Sequence, residues 1–574
     1  MNKNIITLLL PYRFRICLAV SIGIISAIMN VVVPRVIGSI SNEIEKGMSS
    51  AINMNAVKYY AVISILLIVF SFILNYGQQF IMVGISQDMS KKLRSRLSLK
   101  LDRIPISYFD SHPNGDTLSR ITNDVDQINN VLMNNITNIM TSVATVCGCL
   151  VMMCITNIIL AVCVLVTAYI GFEVTDILRK KGKPLFVQQQ RGLGAINSQV
   201  EETLNGHVVV KAFNCEEDVR KAFHGQNEKM YESSWKSQFF SGMMSPVMAF
   251  VGNLGYVIVC IVGAVLMLKQ MAGLSTIVSF ILYVRMFQAP MMKVAQSTGS
   301  MQPAIAAADR IFELLGEQEM DESGVSQTLS SVKGDVTFSH VSFGYLPDQT
   351  IVHDFSAEIW HGQKIAIVGP TGAGKTTLVN LLMRFYELNS GEIRVDGVPI
   401  AKLSRENLHR LMGMVLQETW TFEGSIRENI VFSTEGVSDE RLFEIIKETG
   451  LEYFVRTLPD GVDTVLSEKT EVSAGQKQLL TIARAMAANP PVLILDEATS
   501  SVDTRLEKLI GAAIDKLTKD RTSFVIAHRL STIRDADVIF VMKDGDIVEM
   551  GTHEKLLEKG GLYSELYYSQ FDEG

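Results

Sequence analysis

Six apolar stretches in the first half of this chain constrain its fold more than any other feature. They run from Ile16 to about Ile40, Tyr59 to Ile85, Val131 to Met153, Ile155 to Phe172, Met243 to Leu268 and Leu274 to Val294. Each falls within or above the ~17–25 residues that a helix needs to cross a bilayer. Hydrocarbon offers no partner to a backbone N–H or C=O, so runs of this kind are expected as helices with all backbone bonds internal. The first stretch follows Arg13 and Arg15, is too long for a signal-peptide core, and is not followed by a small-residue cleavage site. It is therefore expected to stay attached.

The charges flanking these stretches suggest an orientation. Lys91, Lys92, Arg94, Arg96, Lys100 and Arg103 follow the second, and Arg179, Lys180, Lys181 and Lys183 follow the fourth. The links after the third and fifth are short, and only Lys269 marks them as basic. By the positive-inside rule, both termini and both long polar stretches, Ser86 to Asn130 and Arg179 to Ser237, face the cytoplasm. Both stretches have helical composition, so the spans are expected to project some 30–40 Å beyond the bilayer. The chain is 48% hydrophobic over 574 residues, and the excess lies before residue 300. Its net charge of −8 argues against a nucleic-acid partner. The 7 cysteines lack metal-ligand spacing with histidine and read as small apolar thiols.

Beyond Val294 the pattern changes. Ala304 to Leu315 reads as a helix leading out, Glu317 to Lys333 as a polar linker, and from Gly334 strands and helices alternate. The expected organisation is multidomain. An all-α, six-span transmembrane domain over 1–315 and a linker over 316–333 precede an α/β P-loop NTPase domain over 334–574.

That last assignment rests on Gly369-Pro-Thr-Gly-Ala-Gly-Lys-Thr-Thr377, a G-x-x-x-x-G-K-T loop between the apolar run Lys364–Val368 and a helix start at Leu378. Strand, glycine loop and helix are the context such a motif requires. Backbone N–H groups of Gly369, Thr371, Gly372, Ala373, Gly374 and Thr377 can turn inward around phosphate oxygens, aided by the helix N-terminus. Lys375 is expected to reach the β- and γ-phosphates of ATP, and the Thr376 hydroxyl to ligate Mg²⁺. Further on, Val492-Leu-Ile-Leu is an apolar strand ending in Asp496 and Glu497. The pair suits a Mg²⁺-linked carboxylate followed by a residue that orients the attacking water, and equally two solvated acids at a strand end. Gln417 and His528 also end apolar strands, and Ser473-Ala-Gly475-Gln476 opens a helix, a second site for an anion.

Taken together, these residues resemble an ATP-binding cassette (ABC) transporter half-subunit of the exporter fold over essentially the whole chain. The resemblance implies that Tyr345 stacks on adenine and that Gln417 is the Q-loop glutamine, touching Mg²⁺ and the membrane domain. It makes Asp496 and Glu497 the Walker B pair, Glu497 the catalytic glutamate and His528 the switch histidine. Ser500–Asp503 matches the D-loop, and Tyr108–Asp110 with Gly115–Arg120, and Glu202–Phe213, match the intracellular loops. The loop tips are expected to dock near Gln417 and Glu468. The signature departs from L-S-G-G-Q at Val472 and Ala474 but keeps Ser473, Gly475 and Gln476. The segment before it is one residue shorter than the family pattern.

The resemblance also implies a dimer, since each ATP is enclosed by one subunit's phosphate loop and the other's signature. The altered signature leans towards a heterodimer over a homodimer. The expected function is ATP-driven export of amphipathic small molecules, lipids or peptides by a multidrug/lipid exporter-like protein in a bacterial cell membrane. An importer of siderophore-like compounds on the same fold and an ATP-gated channel are the alternatives, and the intact Glu497 and His528 argue against the channel. The transported substrate leaves one trace. Arg285, about eleven residues into the sixth span, lies near mid-membrane with Gln288 three residues on. Arg285 either bonds neighbouring helices or lines the cavity and favours anionic substrates.

Overall fold

The computed structural model describes residues 7–47, 52–131, 135, 137–330, 332–346, 349–417, 419–432, 434–467, 472–496, 504–527 and 533–571. They form two compact units, Met1–Asp102 with Pro113–Glu317, and Arg103–His112 with Gln318–Gly574.

The first unit is helical. Its elements are α1 (Arg13–Gly47) and α2 (Met54–Leu101), then α4 (Asn114–Ser119), α5 (Val125–Val131), α6 (Thr137–Thr156), α7 (Ile158–Asn205), α8 (His207–Ala212), α9 (Glu216–Leu268) and α10 (Leu274–Gly316). The short α3 (Ile106–Ser111) falls in the second unit. Among the described residues, 6 helices are long and apolar enough to cross a membrane. Helices α2 and α7 have 48 residues each and α9 has 53. At ~1.5 Å per residue they reach about 70–80 Å, more than twice a bilayer core. The expected continuation of the spans into the polar stretches is therefore present. The break between α6 and α7 is made by Asn157, whose side chain accepts from the N–H groups of Ile159 and Leu160 at 3.1 and 3.2 Å.

Small residues set the helix contacts, as expected where lipid removes a hydrophobic drive for association. Ser26 and Ser71 meet at 2.8 Å between α1 and α2, and each also donates to the other's carbonyl. Along α7 and α9, Gly171 lies against Val251, Gly182 against Phe240 and Gly192 against Met230. Gly252 of α9 is the tightest case. A Cβ there would lie 1.3 Å from the Gln288 amide nitrogen on α10.

The second unit carries two sheets. An antiparallel sheet has the order β2-β1-β4-β5, with β1 Val336–Phe343, β2 Val352–Ile359, β4 Ser390–Val395 and β5 Val398–Pro399. The central sheet contains β3 (Lys364–Val368), β6 (Met412–Val415), β9 (Val492–Asp496), β10 (Thr522–Ile526), β11 (Val538–Lys543) and β12 (Asp546–Gly551). Its order is β12-β11-β3-β10-β9-β6. Strands β3, β6, β9, β10 and β11 are parallel, and β12 closes the edge antiparallel. The helices are α11 (Lys375–Leu382), α12 (Arg405–Leu411), α13 (Ile426–Val431), α14 (Asp439–Glu448), α15 (Glu452–Thr457), α16 (Ala474–Ala488), α17 (Thr504–Thr518), α18 (His553–Lys559) and α19 (Leu562–Phe571). A small ribbon pairs β7 (Gly424–Ser425) with β8 (Val465–Leu466).

The parallel strands are continuous apolar runs because both faces are covered. Alternation assigns their side chains to three cores, one of which joins Ala366 and Val368 of β3 and Ile539 and Val541 of β11 to Leu556 and Tyr563 of the last helices. Ile365, Ile367, Ile494, Phe524 and Ile526 join Phe338 and Phe355 of the antiparallel sheet. Leu493, Leu495 and Val525 face the helices that carry Ile445, Leu480 and Ile510.

The Gly252 contact yields a test. Gly252→Ala should force the Gln288 side chain out and cost about 1–3 kcal/mol, the usual range for overpacking. Adding Gln288→Ala should recover most of it. Thermal unfolding in nanodiscs reads both, and purely additive losses would contradict the close approach.

Candidate functional site: a nucleotide-binding edge

The register of the central sheet brings the sequence motifs to one edge. Ile367, Ile526 and Asp496 are aligned across β3, β10 and β9, and Val415 of β6 pairs with Leu495. The phosphate loop after β3, Asp496, and Gln417 beyond β6 thus leave the same carboxyl end of the sheet, where open α/β sheets bind ligands.

At the phosphate loop, Gly369 has φ 154°, and a Cβ there would come within 2.2 Å of the Met542 carbonyl oxygen. Only glycine tolerates both. Gly372 and Gly374 also have positive φ, and Gly374 caps α11. Ala373 is buried and donates its N–H to the Pro370 carbonyl at 3.2 Å, while Thr371 and Thr376 are exposed. Lys375 Nζ donates to the carbonyls of Gly369 and Pro370, both at 2.8 Å. Burial pulls the Lys375 ammonium below its ordinary value, and the charge of Asp496 opposes that pull. A phosphate would supply the counter-charge that burial makes favourable. Thr377 is buried, with its hydroxyl 3.3 Å from that of Tyr345. Tyr345 is 44% exposed, so its side chain is not closed off from a base.

Ser473 caps α16. It accepts from the Gln476 N–H at 3.3 Å, and the Gln476 side chain accepts from the Ser473 N–H at 2.9 Å. This capping box satisfies part of the helix end internally, and Gly475 is buried beneath it. The signature grows from the helical core and the phosphate loop from the strand core. Gln417 is exposed and Asp496 half-buried. Glu497, His528, Ser500–Asp503 and Glu468 lie outside the described residues. Arg285 is exposed on α10, while Gln288 is half-buried against Gly252.

Two family comparisons cover the two halves of the chain. The family described as ABC transporter transmembrane region matches residues 16–291, and that described as ABC transporter matches 352–500. A fatty acid ABC transporter ATP-binding/permease protein of Mycobacterium tuberculosis is 44% identical over 476 residues, covering 83% of this chain and 75% of that protein. The chain belongs to the ABC transporters. Within that family, an ATP-dependent lipid A-core flippase of Syntrophus aciditrophicus is 33% identical over 501 residues, covering 87% of this chain and 83% of that one. The structure of a bacterial Atm1-family ABC exporter with ATP bound superposes with a TM-score of 0.76 at 25% identity, covering 97% of this chain and 98% of the other. This ABC transporter is accordingly an integral membrane half-transporter of the exporter fold that dimerises. Its ATPase drives transport.

Sequence reading overlooked the residues that brace this ABC site. Asn429 is fully buried, and its amide donates to the carbonyls of Phe422, Gly424 and Ser425 and accepts from the Phe422 N–H, at 3.1–3.3 Å. Arg484 of α16 donates to the Asn429 carbonyl at 2.9 Å and lies 4.7 Å from the Phe432 ring centroid. The segment following Gln417 is thereby tied to the signature helix. An Asn just before the apolar pair Ile430-Val431 was the only local signal. Asn429→Ala should leave several buried groups unpaired and cost about 2–3 kcal/mol. The cassette's thermal transition should fall with ATP turnover, whereas an unchanged transition would contradict the bracing role.

Proposed function

We propose that this chain is one half of an exporter that uses MgATP to move anionic amphipathic lipids, long-chain fatty acids foremost, out of a bacterial cytoplasm. The observation carrying this reading is the 44% identity, over 83% of the chain, to a protein named as a fatty acid transporter. The lipid A-core flippase points to the same chemical class. Arg285, exposed on a membrane helix, supplies a cation for a carboxylate, and such a residue is costly in a membrane unless it faces water or a partner. The basic stretches after the second and fourth spans favour cytoplasmic termini.

At the nucleotide, Tyr345 takes the adenine and the phosphate loop with Lys375 takes the phosphates. Thr376, Asp496 and Gln417 offer oxygen donors that fit a hard divalent cation, and Mg²⁺ held there would neutralise phosphate charge. Glu497 is assigned to orient and polarise the attacking water, and His528 is assigned the switch-histidine role. Ser473, Gly475 and Gln476 serve the partner's nucleotide. Binding there exchanges the internal capping box for phosphate contacts. ATP acts by binding the closed dimer far better than the open one. Val472 and Ala474 in the signature favour a heterodimer in which this chain supplies the competent Glu497. Native mass spectrometry of the chain purified alone tests this, and a stable, lipid-stimulated ATPase homodimer would refute it.

Glu497→Gln should keep ATP binding and lower turnover by about 10²-fold or more, the contribution typical of a positioned acid–base group. Turnover within a few-fold of wild type, where this chain supplies the only competent site, would overturn the assignment.

Arg285→Ala tests the substrate. Loss of a charged hydrogen bond is worth ~1.5–3 kcal/mol, so transport of a labelled fatty acid should fall about tenfold or more while a neutral fatty alcohol is spared. An equal loss for both, with reduced thermal stability, would make Arg285 a helix-packing residue.

A further inference from the structure

Tyr386 lies just past α11, outside every motif used above, yet it touches two functional elements. Its ring meets the Tyr345 ring edge-on, with centroids 5.0 Å apart and planes at 87°. Phe343 completes the cluster, 5.0 Å from Tyr345 and 5.7 Å from Tyr386. The segment carrying Tyr386 is also pinned to the Tyr345 turn through its backbone. Gly344 donates its N–H to the Asn389 side-chain oxygen at 2.8 Å, and Asn389 donates its N–H to the Ser342 carbonyl at 3.1 Å.

On its other side, the Tyr386 hydroxyl donates to the Asp110 carboxylate on α3. Although α3 is encoded between two membrane helices, it packs in the same compact unit as the cassette. The Met320 N–H ties the start of this segment to the cassette unit by donating to the Arg103 carbonyl at 2.8 Å, and the buried Tyr108 stacks on His112 at the helix's own end at 4.2 Å. Burial, with the Asp110 carboxylate second, raises the Tyr386 phenol well above its ordinary value. The hydroxyl therefore keeps its proton and stays a donor across the physiological range.

We propose that Tyr386 is a positioning residue that transmits the presence of a base on Tyr345 to α3, through the edge-on ring contact and the hydroxyl–Asp110 hydrogen bond. The proposal rests on the reading of Tyr345 as the adenine platform. A base stacked on Tyr345 removes that ring's freedom. Edge-on aromatic contacts depend on ring orientation, so fixing Tyr345 narrows the orientations open to Tyr386. Because the phenol turns about only two torsions, its ring orientation fixes where its oxygen sits against the Asp110 carboxylate. The base, and not the triphosphate, is then what α3 responds to.

Hydrogen exchange over residues 106–111 of the assembled transporter in nanodiscs tests this. Saturating hydrolysis-resistant ATP analogue is compared with saturating ribose 5′-triphosphate, which lacks the base. In the wild type, the adenine nucleotide should slow exchange about fivefold or more relative to the baseless triphosphate, the lower end of typical site-to-site coupling. Tyr386→Phe keeps the ring and removes the donor. It should abolish that difference while nucleotide affinity and melting temperature stay at wild-type values. Asp110→Asn should do the same, and the double variant should be no worse than either single one. A base-dependent slowing that survives in Tyr386→Phe would overturn the proposal. So would an equal change for both nucleotides, which marks a merely structural contact. Tyr345→Ala separates the underlying reading. Unchanged ATP affinity there would remove the adenine role of Tyr345 itself, and the proposal with it.

Discussion

The parallel alignment of β3, β10 and β9 is the constraint on which the nucleotide site depends. Four register pairs, from Ser523 with Lys364 to Ile526 with Ile367, lock β10 to β3. The matching ladder to β9 puts Asp496 level with Ile526. A slip of one residue would turn Ile494 and Ile526 from the strand core to the opposite face of the sheet and carry Asp496 away from Lys375. Burial of these strands on both faces forbids such a slip. The phosphate loop, Asp496 and Gln417 after β6 therefore share one edge because the apolar runs beneath them allow a single register.

The phosphate loop and the signature helix rest on different cores. The phosphate loop is anchored in the core shared with the antiparallel sheet, and the signature helix in the core formed by α13, α14, α16 and α17. ABC half-transporters dimerise, and in the proposed reading each phosphate loop then meets a signature from the other subunit. The capping box at Ser473 and Gln476 is what such a helix end does for itself before a phosphate arrives.

Much of this was legible in the sequence. Six spans, the long helical extensions, the α/β cassette and the order of its motifs all follow from hydropathy length, continuous apolar strands and glycine spacing. These are local signals, each written in adjacent residues. What escaped reading was written across the chain. Asn429 gains its meaning from Phe422 and Arg484, and Tyr386 from Asp110, 276 positions away. That α3 belongs to the cassette unit agrees with the docking of this loop that the family resemblance implied, but its bond to Tyr386 is a tertiary fact that no adjacent residues announce. Arg285 and Gln288 illustrate the limit at short range. Three residues apart on α10, they have different surroundings, because Gly252 opens a place for one of them alone.

The central claim is that ATP held at Lys375 drives an anionic lipid across the membrane. Inside-out membrane vesicles containing the assembled transporter provide the most direct measurement, with a labelled long-chain fatty acid outside and ATP added. The account predicts ATP-dependent accumulation inside the vesicles that Lys375→Ala abolishes. ATP-dependent release from preloaded vesicles, or accumulation indifferent to Lys375→Ala, would contradict it.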